Sequence, residues 1–550
     1  MYQDLAHPAL AESEGRPRPT SLSRTSALIA VLTALTLIAG LGRDLSLVSA
    51  FGIGSSTDAF LIAMIVPTVL ASLAATGVLN TVIVPVYARL LAIDRAAADS
   101  FASKVLFLGA GLLVALALLA FPAAEWIVKA QAPGLGPQTT ALTVTLLRIT
   151  FPMIAFVGFA ALTGGLLNAH GRFGLPAIGR LLSNIVAWAA VLILGPTHDL
   201  VLITWAILAA STLQLAVQIP AVRQLIRYRL SRPVLTNDIW AATKLAGPVL
   251  AGLVLGEAAQ WVIRALASTL GPGGITALTY ALRIFVVPVT IFCASLAQPL
   301  LPRLSRELVA HQPAGQTLTM AARTTFFLTL PVSMIMIVAS VDMSTLLFSF
   351  RAVSADAIHQ VAGPLAALGP SVPAAGLNWM LISAIYAAQQ TRWALASWLV
   401  YTFVLVLTAV GLVRWFGLVG LALATLSGSI AQGIVLQLAA KRHIPGYGWE
   451  SVARALFSPL VGSLAMLAML LAVYVLVGPL TPQTRLGALI RLTAVTGTSL
   501  CIYVLISRKL CPAEVQTLET ILAKFVFPFG PKQHVPADLI EDLASAHVSK

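Results

Sequence analysis

The chain has 550 residues, of which 58% are hydrophobic and only 10% charged, and its mean hydropathy is +0.92. Soluble domains carry roughly a quarter charged residues, so the composition excludes a soluble enzyme with an anchor and indicates a polytopic membrane protein. The net charge of +14 comes from Lys and Arg dispersed in short hydrophilic gaps, which argues against a nucleic-acid surface and for membrane topology.

Residues 1–24 form a polar tail with Pro and Arg. The apolar run that follows is too long for a signal-peptide core and lacks a clear cleavage site, so it reads as the first span. A helix needs about 20 apolar residues to cross a bilayer. That criterion gives fourteen segments, near 25–48, 57–88, 102–127, 141–168, 175–196, 200–226, 241–268, 274–302, 320–348, 364–388, 393–414, 417–440, 453–478 and 485–508. The boundary between 340 and 365 is the least sharply marked. Residues 509–550 form a polar tail in which 512–526 reads either as a short amphipathic surface helix or as part of a disordered terminus.

Charges in the gaps test this count. With the N-terminus inside, the inner segments hold Arg16, Arg18, Arg24, Arg89, Arg95, Arg172, Arg180, Arg223, Arg227, Arg229, Arg232, Arg303, Arg306, Arg392, Lys441, Arg442, Arg508 and Lys509. The outer segments hold little beyond Arg43, Lys129, Arg351, Arg414 and Arg485. The positive-inside rule then places both termini in the cytoplasm, and an even number of spans follows.

Two halves of the chain repeat. Pro67 and Pro288 are 221 residues apart, Pro85 and Pro302 are 217 apart, Pro152 and Pro373 are 221 apart, and Arg172 and Arg392 are 220 apart. The offset covers six spans, so the halves share one orientation. The expected fold is therefore all-α, with about fourteen transmembrane helices in two pseudo-symmetric six-helix lobes, 25–232 and 233–442, followed by two C-terminal helices in 443–508. Such a duplication is a transporter architecture, with a substrate cavity between lobes that rock.

Charges inside spans are costly and mark function or pairing. Arg283 lies well inside the eighth span, in "YALRIFVVP". Glu257, Gln260 and Arg264 share one face of the seventh span, which is either cavity lining or a helix–helix seam. Arg148 is expected in mid-helix with the same two readings. Arg43 and Asp44 fall near the outer end of the first span, and Asp58 follows Ser55, Ser56 and Thr57 at the start of the second. Asp58 could cap its own helix, Arg43 could anchor at the interface, or the set could line an outer cavity mouth. Gly77, Pro67, Pro85, Pro152, Pro248 and Pro288 suggest kinks and hinges. Cys293, Cys501 and Cys511 show neither metal nor disulfide spacing, and the residues in apolar runs read as small buried hydrophobes. The motifs GxxxxGK[ST], HExxH, GxSxG and CxxC are absent, so no cofactor is implied, and energy comes from a gradient or the membrane potential rather than ATP hydrolysis.

The stretches "GRDLSLVSAFGIGSSTDAFLIAMIVPTVL", "LLRITFPMIAFVGFAALTGGLLNAHGRFGLPAI", "ALTYALRIFVVPVTIFCASLAQPLLPRLSREL" and "IYAAQQTRW" resemble the MurJ/MviN family of lipid II flippases, in order and over roughly 25–508. The resemblance implies fourteen spans, a cationic central cavity and a groove beside the last two helices for a lipid tail. It assigns functional weight to Arg43 and Asp58, places Arg283 at the cavity arginine of the eighth span, and matches Asp44 to the acid beside the first arginine. Departures are Leu37, Ala71, Ser72, Thr76, Val286, Gln390 and Ala394, which stand where the family has charged residues or, at Ala394, proline. Glu257 and Arg264 could compensate.

The leading expectation is a flippase of the bacterial inner membrane that carries a polyprenyl-diphosphate-linked glycan, lipid II first, by alternating access. Substrate binding is assigned to Arg43, Asp58, Arg283, Arg264, Glu257 and Asp44. The expected partners are the lipid-linked glycan, membrane lipids and cell-wall synthesis proteins, and no nucleic acid. The alternatives are a flippase for an exopolysaccharide or O-antigen unit, a cation-coupled multidrug exporter, and a transport-inactive scaffold acting through its tail.

Overall fold

The computed structural model describes residues 19–72, 84–225, 254–482, 484–512 and 514–516. Among the described residues there are helices and turns but no strand, so the all-α expectation holds. The helices are α1 (Pro19–Phe51), α2 (Ser55–Ser72), α3 (Val84–Ile93), α4 (Arg95–Gln131), α5 (Pro137–Thr150), α6 (Pro152–Ala169), α7 (Gly174–Leu194), α8 (Leu200–Ala216) and α9 (Ile219–Leu225). They continue with α10 (254–268), α11 (Gly274–Pro288), α12 (Ala294–Val309), α13 (Ala314–Val338), α14 (Ser340–Phe348), α15 (Ala355–Leu368), α16 (Ser371–Ala387), α17 (Thr391–His443), α18 (Trp449–Val477) and α19 (Arg485–Leu510).

Ten of the described helical segments are long and apolar enough to cross a membrane, and the α15–α16 pair, bent by 46°, makes an eleventh. The long α17 contains a non-helical residue, Gly417 (φ 53°, ψ −129°), at the boundary expected between the eleventh and twelfth spans. Parts of the second and seventh expected spans lie outside the described residues. The described helices are consistent with fourteen spans. The weakly marked region between 340 and 365 resolves into α14 and the start of α15.

Proline shapes the elements as its missing N–H requires. Pro152 stands at the N1 position of α6, within the single apolar segment Pro137–Ala169. Pro288 is followed by a π-helical turn, Val289–Cys293, before α12 resumes. Gly77 and Pro248 lie outside the described residues. Span hydroxyls such as Thr143, Thr204 and Thr329 donate to the carbonyl four residues back, which satisfies them where no water is available. Phe107, Leu119, Phe403 and Phe457 on α4, α17 and α18 are about 70% exposed, which is expected of side chains facing lipid.

The chain divides into two compact units: Met1–Leu47, Ala63–Ala124 and Thr145–Leu250 in the first, and Val48–Ile62, Glu125–Val144 and Ala251–Lys550 in the second. In the first unit, Gly109 of α4 lies under Leu162 of α6, and Gly158 of α6 lies under Leu113 of α4; a Cβ at either glycine would come within 2.6 Å of the leucine. Small residues give the same close backbone approach in membrane helices generally. Thr163 of α6 donates to Gln218 Oε1 (2.8 Å), tying α6 to the α8–α9 junction.

In the second unit, Ala259, Ile263 and Ala267 of α10 form a core with Ile275 and Leu278 of α11 and with Leu405, Ala409, Leu421 and Ala424 of α17. Asn378 of α16 donates to the Ser429 carbonyl (2.8 Å) and to Gln432 Oε1 (3.1 Å) of α17. A further core sets Phe327 of α13 against Met466 and Leu470 of α18 and Val495 and Tyr503 of α19. Tyr503 donates its hydroxyl to the Phe327 carbonyl (2.8 Å).

Of the 512–526 segment, read as a short surface helix or as part of a disordered terminus, residues 512 and 514–516 are described and are helical; the rest lies outside the described residues. Cys511, Glu514 and Val515 are buried, and Glu514 pairs with Arg323 of α13 (2.9 Å). The residues opening the 512–526 segment are therefore docked by charge and apolar contact. Cys293 and Cys511 are buried, but Cys501 is exposed on α19, contrary to the buried role read for apolar runs.

Candidate functional site

In the first unit, Arg43 donates from Nη2 (3.0 Å) and Nε (3.2 Å) to Asp44 Oδ1. Asp44 is buried and the Arg43 side chain is one-fifth exposed. Two contacts with α7 hold this turn of α1. Trp188 Nε1 donates to Ser46 Oγ (3.0 Å). The Trp188 ring lies so close to Gly42 that a Cβ there would fall 2.5 Å from Cε2. Arg43 thus presents a charge partly neutralised by its neighbour, on a helix turn with little freedom. Arg148, on α5, is exposed and lies over the Phe121 ring at 5.5 Å.

Asp58 belongs to the second unit and is fully buried. Its Oδ2 accepts from Gly273 N (2.7 Å), and its Oδ1 accepts from Thr276 N (2.7 Å) and Thr276 Oγ1 (2.5 Å). It therefore caps a helix N-terminus, but that of α11 rather than its own. The reason lies in the α11 sequence: "GPGG" precedes it and supplies no side-chain acceptor, so the first-turn N–H groups need one from elsewhere. A carboxylate there also meets the positive end of the helix dipole. Gly273 has φ +84°, and a Cβ on it would sit 3.1 Å from Ile53 Cγ2. Close by in sequence, Thr57 donates to the Gly52 carbonyl (2.6 Å), and Gly52 (φ +72°) is pressed against the Ala352 carbonyl.

Also in this unit, Arg264 and Glu257 of α10 approach to 3.8 Å. The Arg264 side chain is 14% exposed and that of Glu257 36%. The separation makes an ion pair without a hydrogen bond, and Arg264 Nε and Nη2 have no hydrogen-bond partner among the described residues. Arg283 of α11 is exposed, its guanidinium 5.6 Å from the Tyr280 ring centre. Tyr280 is buried and packs on Phe348 of α14 (5.1 Å between ring centres), so the aromatic under the cation is itself fixed. The structure thus joins Arg43 to Asp44, Glu257 to Arg264, and Asp58 to the backbone of α11; Arg283 stands on α11 about two turns beyond that cap.

Sequence reasoning missed the most buried ion pair among the described residues. Arg491 of α19 donates from Nε (2.8 Å) to Asp342 Oδ1 of α14, with Nη2 at 2.7 Å from the same oxygen. Its Nη1 reaches Thr481 Oγ1 (3.0 Å) and the Pro482 carbonyl (3.1 Å). Each is an isolated charge in an apolar run, and that signal was available, although the pairing across 149 residues was not.

The family model described as "Lipid II flippase MurJ" matches residues 47–486. The chain is 27% identical over 466 residues to the lipid II flippase MurJ of Burkholderia cenocepacia, covering 82% of this chain and 89% of that one. It is 30% identical over 393 residues to a probable lipid II flippase MurJ of Rhizobium meliloti, covering 68% and 72%. A solved structure of lipid II flippase MurJ in an inward closed conformation superposes with a TM-score of 0.75 at 22% identity, covering 88% of this chain and 98% of that one. An inward-facing multidrug resistance MATE family transporter of the MOP superfamily shares the fold at a TM-score of 0.64 and 16% identity, with 76% and 98% covered. With its family match running from α1 into α19, the chain belongs to the lipid II flippase MurJ family.

Proposed function

We propose that the protein is a lipid II flippase, a transporter rather than an enzyme, that carries the polyprenyl-diphosphate-linked peptidoglycan precursor across the bacterial inner membrane with both its termini in the cytoplasm. The observation that carries this reading is the family match over 47–486 on a helical membrane fold. Arg43, in the first unit, and Arg283, in the second, are each cations suited to attract a diphosphate, because an arginine fork matches phosphate oxygens. The Tyr280 ring and the Asp44 carboxylate set where those two cations stand. Asp58, through the bonds it accepts from Gly273 and Thr276, holds the start of α2 to the start of α11. The membrane potential is a sufficient drive, at about 2.3 kcal/mol per charge per 100 mV.

A second reading, a flippase for another lipid-linked glycan, is favoured by one observation. Leu37, Ala71, Ser72 and Gln390 are neutral where the resembling family is charged.

Complementation of a flippase-depleted strain tests the first reading. Wild-type protein restores growth, and Arg43→Ala and Arg283→Ala do not although both reach the membrane at normal levels. Full rescue by both variants removes the cationic assignment, and failure of the wild type, with rescue of a capsule or O-antigen flippase mutant instead, selects the second reading.

A further inference from the structure

The first unit contains a cavity of about 350 Å³ bounded by α2, α6, α7 and α8. It is separate in chemistry from the charged positions above. Its polar lining is Thr68, Asn168, Arg180, Gln214 and Gln218. Gln218 is fixed: its Oε1 accepts from Thr163 and its Nε2 donates to the Gln214 carbonyl (3.2 Å). The side-chain amides of Asn168 and Gln214 and the guanidinium of Arg180 make no hydrogen bond or ion pair with any described residue. Gly164 keeps the wall open, since a Cβ there would stand 3.3 Å from Pro176 and 3.5 Å from Gln218 Oε1.

No acidic residue is among the described residues lining the cavity. A cation would find no counter-charge, whereas an anion would find one guanidinium. Two primary amides with no partner among the described residues, each with two donors and an acceptor oxygen, complement a group that both donates and accepts. A peptide bond does that, and a diphosphate esterified at both ends and fully ionised only accepts. The volume lies at the low end for small-ligand sites, enough for one or two residues and too little for a whole glycan–peptide head group.

We propose that this cavity is a subsite for the carboxylate end of a peptide carried on the head group, with Arg180 on the carboxylate and Asn168 and Gln214 on the adjoining peptide bond. The inference rests on the lipid II reading and adds to it a means of telling a peptide-bearing precursor from a peptide-free glycan.

Binding of soluble probes to the full-length protein in lipid nanodiscs, measured by saturation-transfer NMR and competition, tests it. The probes are acetyl-alanyl-alanine as free acid, in the L and D series, its carboxamide, N-acetylglucosamine and inorganic phosphate. The free acid binds at least about tenfold more tightly than the carboxamide, the size expected for one charge-assisted contact, and neither the sugar nor phosphate displaces it. Arg180→Gln, at an exposed position, removes the preference for acid over amide, and Asn168→Ala weakens both peptides alike. Equal binding of acid and carboxamide, displacement by phosphate or sugar, unchanged preference in Arg180→Gln, or no binding at millimolar probe each overturns the subsite. The probes carry no lipid, so loss of the subsite with lipid II transport intact leaves the flippase reading standing, while probe binding without transport removes the flippase reading.

Discussion

A buried carboxylate that accepts from two backbone N–H groups and a hydroxyl is worth its position only while all three donors face it. Asp58→Ala leaves the Gly273 and Thr276 amides without their acceptor, at about 1–3 kcal/mol for each buried donor left unsatisfied. Asp58→Asn keeps one acceptor oxygen and loses the charge. Thermal unfolding in nanodiscs should rank wild type above Asn and Asn above Ala; equal midpoints would show that the cap contributes nothing. The Arg491–Asp342 pair is tested by a double-mutant cycle. Removing one partner of a buried pair costs about 3–5 kcal/mol, whereas replacing both with apolar residues is often neutral. Asp342→Leu and Arg491→Leu alone should therefore each lower the midpoint strongly, and the double variant should recover most of the loss. Additive losses would contradict a direct pair.

At the scale of elements, two glycines before α11 separate backbone strain from crowding. Gly271 has φ +100° with nothing within 4 Å of the place a Cβ would take, and Gly273 has φ +84° with Ile53 at 3.1–3.2 Å. Gly271→Ala carries only the left-handed penalty, about 1–2 kcal/mol, and Gly273→Ala adds a clash that pushes α11 off Asp58. The second variant should be the less stable by thermal unfolding; the reverse order would contradict the packing at Ile53. Element positions were legible in the sequence because a span needs its apolar length and little else: the break at Gly417, between segments read as separate spans, is one example. The Asp58 contact was not legible. Its partners are backbone amides 215 and 218 residues away, and a backbone amide leaves no mark in the residue types. The polar face of α10 was legible as a face, but its ion pair at 3.8 Å with unsatisfied guanidinium nitrogens was not, because spacing fixes direction and not rotamer.

For the whole molecule, the C-terminal docking offers a chemical readout. Burial pushes the Cys511 thiol above its ordinary range, and Arg323 only partly opposes this, so the thiol is both covered and protonated at neutral pH and reacts slowly. In a Cys501→Ser background, maleimide labelling should be slow, and Arg323→Ala, which removes the Glu514 pair and the bond to the Leu510 carbonyl, should accelerate it. Rapid labelling without that change would contradict the docked segment. Outward movement of lipid II dependent on Arg43 and Arg283 is measured in proteoliposomes holding labelled lipid II and an imposed membrane potential, by the rate at which label becomes accessible outside. The expected rate is well above that of protein-free vesicles, and is reduced about tenfold or more by Arg283→Ala and by Arg43→Ala, the loss expected for a charge-assisted phosphate contact. A wild-type rate equal to that of protein-free vesicles would contradict it.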